Sequence, residues 1–337
     1  MKAATLRDEM VAELHDLAWD QWSQLGVSGS APRRREERAA DPEALLLFTL
    51  EIARSEPRLF DEVLDWLAMN EPLVSVHRLR NLCVTETDRA LADSALAWAA
   101  RARRRERPAT GRSPTGEDGD LEPLFPSLVT PGRDLDPAFS RYGLARAQLE
   151  RSHKSQPPRF TDPIGFAFRL RRLLGVGVRA EVLRTLLTIR APRISGRVIA
   201  ASAGFAQRNV RQGLTQLHDA GVITVVDVSD DRYYSTRVDD WATLLRLDGT
   251  PDLPLHYDWI PAYRALTKIV RWLQQPGLDG LSDYLIASQA RTLVSDIEPD
   301  LRYVGIRAGA FTAHGADFWP EFEAITRAAV RDARGPR

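Results

Sequence analysis

The chain has one cysteine, Cys83, in 337 residues, so it can form no intramolecular disulfide. A lone free cysteine is most often a buried packing residue, and Cys83 is expected to be one. Lysine is nearly absent: Lys2, Lys154 and Lys268 stand against 43 arginines. With the abundant alanine, this points to GC-rich coding, so arginine content alone is poor evidence for nucleic-acid binding and only its placement counts. Net charge is zero, which excludes a general polycation. No apolar run approaches the ~18 residues of a membrane span. The N-terminus is amphipathic and acidic, without the apolar stretch of a secretory signal, and a cytoplasmic location is expected. The six histidines (His15, His77, His153, His218, His256, His314) lack ligand spacing and no CxxC pair exists, so no metal site is expected. There is no phosphate-loop GxxxxGK[ST] and no GxSxG elbow; Gly175-Val-Gly177 lacks the third glycine of a dinucleotide fingerprint. No cofactor is expected.

What is present is mostly helical periodicity. Residues 1–105 read as a helical N-terminal domain. Asp41-Pro42 is a cap followed by proline at the first helical position. Pro57 opens a helix with Leu59, Val63, Leu64 and Leu67 on one face, Ser75 starts a short one, and Asp88 caps the last. The stretch from Leu59 to Val84 also admits a second helix-turn-helix. Residues 106–136, rich in Pro, Gly and acids, read as a disordered or extended linker. Residues 137–250 form the next unit. Residues 251–337 read as a helical C-terminal domain, with helices over about Trp259–Gln274, Ser282–Ile297 and Phe318–Arg331 and a short strand within Leu301–Phe311. Trp259, Tyr263, Trp272 and Tyr284 suit either a pocket or a core, the core being the commoner use.

The densest signal lies in 194–238. Ser195 can cap a short helix that ends at Gly204, where glycine suits a positive φ. Phe205 plugs the turn. The next helix, about Ala206 to Ala220, buries Val210, Leu214 and Leu217, with Gly213 beside the stripe allowing close helix approach. Its other face carries Gln207, Arg208, Asn209, Arg211, Gln212, Thr215 and Gln216, with no acid before Asp219. Arginine can pair bidentately with guanine, and Asn or Gln with adenine. Val222–Val228 and Arg232–Arg237 form a two-stranded ribbon about Ser229-Asp230-Asp231. Residues 159–213 hold 11 arginines against Asp162 and Glu181, so basic charge concentrates on and before this module.

Ile199-Ala200-Ala201, Gly204-Phe205, Gln207–Val210, Leu214–Leu217, Gly221-Val222-Ile223 and Arg232-Tyr233-Tyr234 together resemble the winged-helix domains of bacterial transcription regulators of the MarR and GntR types. The helix before them, about Arg179 to Arg190, would complete the module. The resemblance covers about 179–247. The expected fold class is therefore mainly α with a small β-wing: a central winged helix-turn-helix flanked by helical N- and C-terminal domains.

A sequence-specific DNA-binding transcriptional regulator is expected, not an enzyme. The base-facing candidates are Gln207, Arg208, Asn209, Arg211 and Gln212, and the phosphate or wing candidates are Arg193, Ser195, Arg197, Gln216 and Arg232. Acids at the wing tip (Asp227, Asp230, Asp231) weaken the case for Arg232. The expected partners are double-stranded DNA and a second copy of the chain, because one module reads a half-site. A small-molecule or protein effector at the C-terminal region is a further possibility. The alternative is a winged-helix interaction component of a replication, partition or defence complex. Gly29-Ser30 followed by Asp41-Pro42-Glu43 superficially resembles the metal-holding pattern of nucleotidyltransferases. Its carboxylates belong on a strand, however, whereas Pro42 opens an apolar helix.

Overall fold

A computed structural model describes residues 2–29, 35–104, 121–128, 134–229, 231–245, 253–306, 313 and 315–335. The architecture is mainly helical with small sheets. The first helices are α1 (Lys2–Gln24), α2 (Pro42–Ile52), α3 (Pro57–Asn70), α4 (Val76–Leu82) and α5 (Glu86–Arg103). β1 (Glu122–Pro123), α6 (Pro137–Ser140) and β2 (Leu144–Ala145) follow, β1 and β2 pairing in parallel. Next come α7 (Phe166–Leu174), α8 (Val178–Ile189), β3 (Ile194–Ser195), α9 (Gly196–Ala203), α10 (Gln207–Asp219), β4 (Thr224–Val228), β5 (Asp231–Ser235) and α11 (Val238–Leu244). The chain closes with α12 (Trp259–Leu273), α13 (Asp283–Tyr303) and α14 (Phe318–Arg334).

Local chemistry sets the helix starts. Asp41 accepts a hydrogen bond from the Ala44 amide at 3.1 Å, ahead of Pro42 at the first helical position. Ser75 caps α4 through the Arg78 amide. At α5 the cap is Thr85, not Asp88. Asp88 instead accepts from the Thr85 amide at 2.9 Å while Thr85 Oγ1 accepts from the Asp88 amide at 3.1 Å, a reciprocal capping box. α13 runs on through Pro299 to Tyr303, where a short strand was expected. Val294, Ile297 and Leu301 continue its buried stripe at helical spacing, and that burial outweighs the amide proline removes. The remainder of the expected strand, from 307 on, lies outside the described residues.

The packing groups the chain differently from the expected segmentation. Helices of 1–105 and of 251–337 share one hydrophobic core, because neither set can cover its own apolar faces. Phe48 of α2 stacks on Tyr263 of α12 at 4.4 Å, and Tyr263 Oη donates to Gln21 Oε1 of α1 at 2.7 Å. Trp259 Nε1 donates to the Ala39 carbonyl at 2.9 Å. Arg271 of α12 pairs with Glu51 and Asp88. The aromatics Trp259, Tyr263 and Trp272 are thus core residues, whereas Tyr284 is exposed. Residues 121–128 and 134–149, expected to be linker and the start of the central unit, also join this core. Leu124, Phe125, Phe139 and Leu144 are buried there, and Arg146 sits over the rings of Phe60, Phe125 and Phe139. The rest of the expected linker, 105–120 and 129–133, lies outside the described residues.

A second core gathers α7 to α11 with β3, β4 and β5. The three strands form an antiparallel sheet in the order β3-β5-β4, with Ile194 opposite Tyr234 and Val225 opposite the same tyrosine. Cys83 is half-buried, and burial pushes its thiol up to about 11, leaving little thiolate at neutral pH. Among the described residues, no helix is long and apolar enough to cross a membrane.

Candidate nucleic-acid interface

Three elements build the candidate face. α8 provides the floor, with Val182, Leu183, Leu186 and Leu187 buried. α9 starts at Ser195, whose Oγ accepts from the Val198 amide at 3.4 Å. It ends at Gly204, whose φ of +67° lies in the left-handed region that favours glycine. Phe205 then turns inward, and α10 begins two residues later. Val210, Leu214 and Leu217 are buried, as their spacing requires. Gly213 does what its position suggested: a Cβ there would meet Val178 of α8 at 3.1 Å, so glycine lets α10 press against the start of α8.

That packing leaves one face of α10 open. Gln207, Arg208, Arg211, Gln212, Thr215 and Gln216 are exposed. Asn209, expected on the same face, is half-buried, because its place in the helical turn lies nearer the Val210 side. Neither Arg208 nor Arg211 has an ion-pair partner among the described residues. Arg193 and Arg197 are exposed at the entry to α9. Ser195 is half-buried, its oxygen accepting the capping bond while its hydroxyl proton stays free to be donated.

The ribbon contributes less. Arg232 Nε donates to Asp227 Oδ1 at 2.9 Å from the directly opposing position on β4. The pair sets an opposite charge directly beside the Arg232 guanidinium within the ribbon itself. Asp230 lies outside the described residues.

The arginine concentration in 159–213 is also smaller at the surface than the sequence count suggests. Arg171 and Arg184 are buried. Arg169 and Arg190 donate to the carbonyls of Leu245 and Leu253, and Arg172 lies over the Phe160 ring. Arg193, Arg197, Arg208 and Arg211 are exposed along α9 and α10 and their entry, and Arg159, Arg172, Arg179 and Arg190 are also exposed ahead of them.

The buried arginines belong to a cluster that no local sequence pattern marks. Asp41 and Glu43 of the α2 start, Arg78 of α4, Arg171 of α7, and Glu181 and Arg184 of α8 all lie at 2 % exposure or less. Arg171 clamps Glu43 through two 2.7 Å bonds and reaches Glu181 at 2.6 Å. Arg184 donates to the other Glu181 oxygen at 2.8 Å. Arg78 binds both Asp41 oxygens and, at 2.7 Å, Glu43. Three arginines thus meet three carboxylates. Burial favours neutral carboxyls, but the Arg171, Arg184 and Arg78 charges outweigh it and hold Glu181 well below the usual carboxylate range. Asp41 is held low in the same way, burial being outweighed by Arg78. The only hint in the sequence is charge at positions whose helical neighbours are apolar. The Asp41-Pro42-Glu43 carboxylates that resembled a metal pair are therefore committed to arginines at a helix start.

No protein-family model, curated protein or solved structure matches the chain.

Proposed function

We propose that residues 159–245 are a winged helix-turn-helix and that the chain binds double-stranded DNA through α10, as a sequence-specific transcription regulator. The observation that carries this reading is the open face of α10: two unpaired arginines and three glutamines, with no carboxylate before Asp219. The hydrogen-bonding chemistry of Arg208, Arg211, Gln207 and Gln212 matches base edges in the major groove. Arg193 and Arg197 suit phosphates beside it. Two copies on a palindromic site would follow from one α10 per half-site.

Selection of duplexes from a random-sequence pool, then anisotropy at fixed salt, tests this. Arg208→Ala and Arg211→Ala should each weaken binding by about 1–3 kcal/mol if the contact is bidentate to a base. Arg232→Ala should cost less than either. A pool from which the protein retains nothing, or affinity unchanged in both α10 variants, would leave the protein-interaction reading in its place.

A further inference from the structure

The buried charge cluster does more than join two cores: it reaches the turn that aims α10. Arg78 Nε donates to the carbonyl of Ala203 at 2.7 Å, and Arg184 donates to that of Ser202 at 3.1 Å. Those are the last carbonyls of α9, which have no partner within the helix. One residue later, Gly204 sits directly under the helical body. A Cβ placed on it would meet Ile260 Cδ1 at 2.9 Å and the Arg78 guanidinium at 3.1 Å. The His77 ring of α4 lies 6.2 Å, centroid to centroid, from that of Phe205. α4 and α12, both parts of the helical body, therefore grip the α9–α10 turn from outside the second core.

We infer that Arg78 and Ile260 are positioning residues for α10: the helical body fixes the angle at which the exposed face of α10 meets its ligand. This rests on the DNA reading above for its consequence, though not for its geometry. Arg78 can serve because its planar guanidinium spans two carboxylates and a backbone carbonyl at once. A lysine ammonium has the charge but not that reach. The flanking helices are then part of the reading head, and α7–α11 cut from them would present α10 at an unfixed angle.

The test uses the full chain and the best duplex selected by the wild-type protein. Arg78→Lys keeps the charge, and its helix content is checked by circular dichroism. Its active fraction is set by stoichiometric titration. The expected result is an unchanged active fraction with Kd raised about tenfold. Arg208→Ala should also cost less in the Arg78→Lys background than in wild type, because a misaimed α10 has less contact to lose. A simple structural role would lower the active fraction and leave Kd and the Arg208 effect alone; that outcome, or wild-type Kd in a folded Arg78→Lys, overturns the inference. Should Arg78→Lys fail to fold, Ile260→Ala leaves every charge in place and decides in the same assay, with an expected rise of about threefold and overturn at wild-type Kd. If the wild-type chain retains no duplex, the DNA reading falls instead. Hydrogen exchange then tests the positioning alone: faster exchange of the α10 amides in either folded variant supports it, and unchanged exchange overturns it.

Discussion

Glu181→Gln should destabilise the protein by about 3–5 kcal/mol, read as a lowered midpoint in urea followed by circular dichroism. The wild-type carboxylate takes Arg171 on one oxygen and Arg184 on the other, inside a site with almost no solvent contact. Glutamine is isosteric but leaves three arginines facing two carboxylates. One buried positive charge is then uncompensated, which is the costly way to break such a cluster. A loss below about 1 kcal/mol would mean that water reaches the cluster and screens it. Acid should act in the same direction. Asp41 and Glu181 have folded-state pKa values lowered from their usual values, so their contribution is fully present above the usual carboxylate range, near pH 4–4.5. It is lost as pH falls through their depressed values. Stability measured from pH 6 downward should therefore decline more steeply in wild type than in Glu181→Gln.

Trp259→Ala should cost a similar amount, about 3–5 kcal/mol. The indole is 1 % exposed. It stacks on Tyr263 at 5.0 Å, meets Tyr257 edge-on at 4.4 Å, lies under the Arg38 guanidinium at 4.5 Å and donates to the Ala39 carbonyl. Removing it opens a cavity where the segment before α2 meets α12. Since the two ends of the chain share that core, the wild type should unfold there as one unit, and the variant should lower a single transition seen alike by tryptophan fluorescence and circular dichroism. Two separated transitions, with only one moved by the substitution, would show that 1–105 and 251–337 melt independently.

The local features of this fold were legible because they are written in adjacent residues. Asp41-Pro42, Ser75 and Ser195 announce helix starts, Gly204 announces a stop, and Val210, Leu214 and Leu217 give the buried side of α10 and, by subtraction, its open side. What covers a helix is not written locally. The apolar face of α1 requires a partner, but nothing in its periodicity names α12 and α14. The same limit hid the charge cluster. Nothing next to Arg78, Arg171 and Arg184 in the chain marks them as buried, and only the fold brings them to Asp41, Glu43 and Glu181. It also inflated the apparent basic surface, since buried and exposed arginines count equally in a sequence.

The pairing of α1 with α14 bears on how the chain is made. Arg327 of α14 clamps Glu9 of α1 through two 2.9 Å bonds, across a separation of 318 residues, and Arg334 pairs with Glu13. At a synthesis rate of about 5–20 residues per second, α1 waits roughly 15–60 s on the ribosome before α14 exists. For that time Leu6, Met10, Leu14 and Leu17 lack their full cover. The α7–α11 segment emerges well before α14, so its local contacts can form while the body that grips its turn is still incomplete.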